Sequence, residues 1–274
     1  MDQFSTAAWE DVVNDRLVRR RRKSAQTRAE VQRRAAELKF QAGCDRFPTD
    51  VDLLAKTVGI RDVRYVPLAM RGRLIREGSG VIAEINEDLP ARLRRFVLAH
   101  EIAHMLLARD LSALGAKALY GRSESLCSYR FVEHLCDFAA REILLPENAL
   151  RKELRLCQFT LELLANISNE AECDWELVAE AISDLPGQWR QLTFLFCRSD
   201  HNSASARVIP VRTTLIELMR SEEDLVTRAL RERKIVSGSQ DLWIGANKTT
   251  LSADALALDP NTIVVLLNHD GGHN

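Results

Sequence analysis

The segment RFVLAHEIAHMLL, residues 95–107, carries His100 and His104 four positions apart, with Glu101 directly after the first. On a helix, residues at that spacing lie one turn apart on one face, so both imidazoles can be aimed at a single ion. This is the arrangement in which two histidines hold zinc and the glutamate takes a proton from the metal-activated water. The five-residue string HEIAH is short enough to arise by chance. Two core histidines bonded to backbone or carboxylate groups are the plain alternative.

A catalytic zinc needs a third protein ligand and keeps a further position for water. The metzincin pattern would place a glycine three and a histidine six positions after His104. Leu107 and Asp110 stand there instead, which excludes that class. The next helix-like run, FVEHLCDFAAREILLP, is apolar on most sides, which predicts burial, yet Glu133 and Asp137 lie on one face in its middle. Burying carboxylates without partners costs several kcal/mol each or forces protonation. A cation and its histidines would be such partners, which makes Glu133 the candidate third ligand. Asp137, one turn on, becomes the acceptor that orients a ligand histidine through its other ring nitrogen.

Ion pairs with Arg130 or Arg141 compete with these two assignments. His134 is the rival ligand, but it points about a quarter turn away from Glu133 and reads as a surface histidine. With His100, His104 and Glu133 as ligands, zinc would activate water, Glu101 would accept its proton, and the attack would fall on a polarised carbonyl. Glu101 would later pass the proton to the leaving amine. An oxyanion donor is also expected, and Tyr120 and Tyr129 are the candidates. Manganese and iron suit the same ligands as zinc.

These side chains need two helices to hold them. One is predicted from Pro90 to about Leu107 and the other over residues 129–145, stopping before Pro146, with a polar, irregular stretch between them. Residues 5–42 lack Gly and Pro and predict one or two helices. In PTDVDLLAKTVGI, Thr49 or Asp50 can cap a short helix that Gly59 ends. The runs RDVRYVPL, GRLIRE and GVIAEIN, separated by Met-Arg-Gly and Gly-Ser-Gly, predict a small antiparallel sheet. Two helical segments follow, around 147–156 and over 160–182.

After Pro186-Gly187 the texture changes. QLTFLFC, ARVIPV, DLWIGA and NTIVVLLNH read as strands, with a long helix over 213–233 among them. The expected architecture is α+β: a mainly helical peptidase-like domain with a small antiparallel sheet, plus a smaller C-terminal α/β unit. The expected divisions are 1–47 (a basic helical segment), 48–187 (the metal-binding domain) and 188–274 (a second domain).

RFVLAHEIAHMLL followed by EHLCDFAAREILLP, with GVIAEIN and PTDVDLLAKTVGI before them, resembles the ImmA/IrrE family of metallo-endopeptidases over about residues 48–186. The resemblance implies a zincin-like fold, ligands His100, His104 and Glu133, and Glu101 as the base. Asp137 stands where the family usually has Asn, which leaves an acceptor in place with more negative charge. The resemblance further implies that GVIAEIN is an edge strand beside the cleft, where Gly80, Val81, Ile82 and Ala83 could pair with a substrate segment. Family members are cytosolic and commonly cleave a helix-turn-helix transcriptional repressor, so the implied partner is such a repressor. Some members have a sensor-like C-terminal domain, the part residues 188–274 would play here.

The composition agrees with a globular chain: 274 residues, 46% hydrophobic, 28% charged and a net charge of -1. That charge argues against a general polyanion binder. The run RLVRRRRKSAQTR, residues 16–28, is the one argument for DNA contact, and a solvated helix face is its competing reading. No apolar run approaches a membrane span and the N-terminus lacks signal-peptide order, so a cytoplasmic location is expected. The six cysteines, scattered without a CxxC pair, read as reduced thiols. The alternative function is a peptidase-like scaffold that binds a repressor or DNA without turnover, as in a toxin-antitoxin pair.

Overall fold

The computed structural model describes residues 27–44, 46–108, 126–155, 159–185, 193–200, 203–209, 216–218, 225–232, 234–244, 247–259 and 262–268. The chain divides into two compact units, Met1–Pro146 and Glu147–Asn274. Most of the basic run at residues 16–28, including Arg19 to Lys23, lies outside the described residues, as does Tyr120.

In the first unit, helix α1 covers residues 27–42 and α2 covers Val51–Thr57. Asp50 is the cap of α2, its side chain accepting from the Leu53 N–H, and the left-handed Gly59 (φ 91°) follows the helix end. Thr49, the other candidate cap, is instead buried. Its hydroxyl donates to the Ile143 carbonyl at 3.1 Å and accepts from Lys39 Nζ at 2.9 Å, tying α1 to the end of the helix over Leu126–Leu144.

Strands β1 (Ile60–Val66), β2 (Gly72–Glu77) and β3 (Gly80–Asn86) form a sheet of order β1-β3-β2. The tight turn through Gly78 (φ 61°) makes β2 and β3 an antiparallel hairpin, as expected, whereas β3 pairs with β1 in parallel. The apolar content of β3 accounts for its central place: Ile82, Ala83 and Ile85 are fully buried, while β1 and β2 are largely half-buried or exposed. A strand covered in this way can pair on both edges. GVIAEIN is therefore the central strand and not an edge, which corrects the placement of Gly80, Val81, Ile82 and Ala83 as a surface for substrate pairing. The strand with one side free of a strand partner, among the described residues, and beside the cleft is β2.

Helices α3 (Ala91–Ala108) and α4 (Leu126–Leu144) pack on each other. Val31 of α1, Ala103 and Leu107 of α3, and Val132, Leu135, Cys136, Phe138 and Ala139 of α4 form one buried cluster. This cluster locks the helices that carry HEIAH and EHLCD.

The second unit contains α5 (Glu147–Leu154), α6 (Leu161–Ala171) and α7 (Trp175–Asp184). The expected single helix over 160–182 is broken where Glu172 turns left-handed (φ 52°) and Asp174 begins α7. A six-stranded sheet follows, ordered β5-β4-β9-β8-β7-β6 and antiparallel at every described pairing. Its strands are β4 (Thr193–Asp200), β5 (Ser203–Ile209), β6 (Ile216–Leu218), β7 (Val236–Ile244), β8 (Asn247–Asp259) and β9 (Thr262–Asn268).

Helix α8 (Leu225–Glu232) packs on β7, β8 and β9. The helix expected over 213–233 is thus shorter, since residues 216–218 form a strand. The sequence of β8, NKTTLSADALALD, gave no strand signal because Ala, Asp and Leu favour helix or turn. Pairing with β9, whose Ile263 to Leu267 are all buried, overrides that propensity. No described helix is long and apolar enough to cross a membrane.

Candidate metal centre

Helix α3 is apolar on nearly every side, and Val97, Leu98, Ala99, Ile102 and Ala103 are buried. Helix spacing then presents His100, Glu101 and His104 together to a cleft of about 510 Å³. The cleft's apolar wall is Met70 and Leu74 from the β2 side, with Phe96, Val97 and Met105 from α3. Its polar side adds Glu133 and Asp137 from α4, and Arg71 and Arg73 stand on the β2 side. Arg73 is paired with Glu84 across the sheet, Nε to Oε2, at 2.8 Å.

The structure brings together the residues that helical spacing singled out. His100 Nε2 lies 3.1 Å from His104 Nε2 and 3.3 Å from Glu133 Oε2, and His104 Nε2 lies 3.6 Å from Glu133 Oε1. The other nitrogen of His100, Nδ1, faces Asp137 Oδ1 at 2.9 Å. A neutral His100 that donates from Nδ1 to this carboxylate exposes a lone pair at Nε2. The other nitrogen of His104, Nδ1, lies 3.4 Å from Cys136 Sγ. A proton on that Nδ1 would leave His104 Nε2 as a second lone pair pointing at the first, with carboxylate oxygens beside both.

Such a set of mutually facing acceptors repels itself unless a proton or a cation stands among them. Ligands about 2.0–2.1 Å from a tetrahedral ion are separated from each other by about 3.3 Å, and the observed 3.1, 3.3 and 3.6 Å bracket that value. The donor set therefore fits a metal ion.

His100, His104 and Cys136 also gather within 4.8 Å and could hold a metal. In that group the sulfur faces the Nδ1 side of His104, away from the nitrogen that meets His100. A single ring cannot present both nitrogens to one ion. Burial first, then the Glu133, Asp137 and Glu101 charges, push the Cys136 thiol well above its usual range, so it remains protonated. A cation at the sulfur would have to displace that proton, whereas the two Nε2 lone pairs already face one point.

Burial lifts the Glu101 carboxyl to about 7, with His100 pulling down and Glu133 pushing up. Burial and the neighbouring charge of His100 hold His104 down at about 4, so its ring is neutral near pH 7. For His100, burial acts to lower the pKa, but the hydrogen bond to Asp137 and its charge outweigh it and the net shift is upward.

Two expectations about α4 change. Glu133 is half-buried, and the Asp137 side chain is 53% exposed, so these carboxylates line the cleft and are not sealed in the core. His134 is exposed and is not among the cleft residues. Only the backbone position of Tyr129, near the start of α4, is described. Sequence reasoning missed the contribution of Met70 to Leu74, since a turn and a short strand give no chemical signal. It also missed the seat of Cys136 against His104, although Cys136 lies one helical turn after Glu133.

Residues 55–183 match the family described as the IrrE N-terminal-like domain. The radiation response metalloprotease IrrE of Deinococcus radiodurans is 32% identical over 120 residues, which cover 44% of this chain and 35% of that protein. The chain thus spans about a third of the length of this curated relative. A Mycobacterium tuberculosis transcriptional regulator shares the fold with a TM-score of 0.55 and 15% identity, over 87% of this chain and 75% of that one. HEIAH and the Glu133 helix both lie inside residues 55–183, so the part of this chain that is similar to the IrrE N-terminal-like family is the part that builds the metal centre.

Proposed function

We propose that the protein is a zinc-dependent endopeptidase acting in the cytosol on a regulatory protein, with a helix-turn-helix transcriptional repressor as the substrate class. The observation that carries this reading is the convergence of His100 Nε2, His104 Nε2 and the Glu133 carboxylate at 3.1–3.6 Å, with a nearly buried carboxyl at Glu101 beside them. The metalloprotease relative supports the reaction type, and the repressor rests on the family resemblance alone.

A zinc ion held there would supply Lewis acidity, polarising the scissile carbonyl and acidifying water. Glu133 is the preferred third ligand over Cys136, because its oxygens face the same nitrogens that face each other. Glu101 takes the proton from the attacking water and returns it to the leaving amine. Burial raises its pKa in the metal-free protein, and a nearby cation would draw it back down and keep the carboxylate ionised, ready to accept the proton. Asp137 keeps His100 in the tautomer whose Nε2 lone pair faces the cleft. The side of β2 that has no strand partner among the described residues offers main-chain groups on which an extended peptide could lie as an added strand, so the pairing surface moves from Gly80–Ala83 to β2.

The test compares newly formed protein N-termini in cells carrying the wild type with those carrying Glu101→Gln. Glutamine keeps the metal ligands and removes the base. A cleavage product from a DNA-binding regulator seen only with the wild type is the expected result. Identical N-termini with metal bound to both proteins would overturn the peptidase in favour of a scaffold that binds without turnover.

A further inference from the structure

Gly72 opens strand β2 where the strand meets the base. A Cβ placed on it would lie 2.5 Å from Val97 Cγ1, 3.2 Å from Glu101 Oε1 and 3.2 Å from Ile85 Cδ1. The first distance is one that real side chains do not adopt, and at the other two the neighbour would have to give way by a few tenths of an ångström. Gly72 is not among the glycines with positive φ, so backbone freedom does not explain it. In the sequence it reads as turn punctuation in Met-Arg-Gly. In the structure it is already in the strand, paired with Ile85, and what it provides is space.

Val97 and Glu101 are one helical turn apart on the face of α3 turned toward β2, and both line the cleft with Gly72. A side chain at position 72 has to push Val97, and α3 with it, away from the strand, or turn the Glu101 carboxylate aside. Either movement separates the base from the strand edge that carries the peptide.

We propose that Gly72 is a positioning residue for the general base: its missing side chain lets β2 seat against α3 and sets the gap between Glu101 and the peptide laid on the strand. This rests on the peptidase reading of the cleft.

The test uses the full-length, metal-loaded protein as wild type, Gly72→Ala, Val97→Ala and the double variant. Gly72→Ala is expected to lower kcat by at least about tenfold, because misplacing a catalytic group by an ångström is worth up to about a hundredfold. KM and metal stoichiometry should stay within about threefold, since the added methyl faces α3 and touches neither the free side of β2 nor a metal ligand. Removing the Val97 methyl groups deletes the 2.5 Å contact, so the double variant should recover most of the lost kcat relative to Val97→Ala alone.

An unchanged kcat in Gly72→Ala overturns the proposal. So does a double variant that is folded, by its melting temperature, yet as slow as Gly72→Ala. Should Gly72→Ala fail to fold, the double variant alone decides, near-native kcat supporting the spacer role and a folded, slow protein refuting it. If the wild type itself cuts no peptide, the peptidase reading fails separately. The spacer role is then read from a crystal structure of Gly72→Ala, where a Glu101 carboxylate within about 0.5 Å of its native position would refute it.

Discussion

Asp137→Asn probes one contact that should influence metal and proton in the same direction. Asp137 Oδ1 lies 2.9 Å from His100 Nδ1, and His100 Nε2 is the atom facing His104 and Glu133. A carboxylate at Nδ1 makes the imidazole a better donor at Nε2, to a metal and to a proton alike. Changes at such outer partners cost about 10–100-fold in metal affinity. The Asp137 side chain is 53% exposed, so water screens its charge, and asparagine retains an acceptor oxygen.

The expected loss is therefore at the low end, about tenfold or about 1.4 kcal/mol, with Asp137→Ala nearer the upper end of the range. Those figures apply where His100 is unprotonated. The Asp137 contact also outweighs burial to raise the His100 pKa, so removing the charge weakens the proton that competes for Nε2. As pH falls through the titration of His100, the wild type loses more of its affinity than the variant, and the two curves converge. Competition titrations against a chromophoric chelator across that range measure this directly. A ratio that stays constant or widens toward acid pH would refute the idea that Asp137 acts through His100. Equal affinities for wild type and Asp137→Ala at every pH would remove Asp137 from the centre altogether.

Two further outcomes separate the remaining roles. Glu133→Ala should lower metal affinity by about a hundredfold or more, whereas Cys136→Ala should keep one metal per chain with at most about a tenfold loss; the reverse order, measured by metal analysis and chelator competition, would make sulfur the third ligand. Glu101→Gln should stabilise the metal-free protein in alkaline solution. The folded pKa of Glu101, about 7, is above its ordinary 4.5, so folding favours the protonated acid and the ionised form is held at a penalty of about 3 kcal/mol at most. That penalty is complete above pH 7 and absent below 4.5, so the urea midpoints of variant and wild type should differ most at high pH and merge as pH falls across this window. A constant difference would place the effect outside Glu101 ionisation.

The parts of this centre that were legible in the sequence are those in which one helix fixes the relation between side chains. His100, Glu101 and His104 share a single helical turn, and Glu133 and Asp137 share another, so the spacing of 3.6 residues per turn already encodes their faces. The pairing of those two helices was inferred from chemistry, because carboxylates on an apolar helix need partners. The inference reached residues that the structure does bring together, through a premise that was too strong, as Asp137 is exposed and Glu133 only half-buried. Sheet order was not legible in this way. GRLIRE and GVIAEIN are equally strand-like, and which becomes the edge depends on β3 being sealed between two partners, a long-range fact without a local signature. Gly72 shows the same limit at one residue. A turn glycine and a spacer glycine are identical in sequence, and only the 2.5 Å to Val97 Cγ1 tells them apart. Glu101 is thus placed by a helix that the sequence announces and by a strand contact that it does not, so substitutions at Gly72 and Val97, neither of which has any chemistry of its own, test the position of Glu101 independently of its identity.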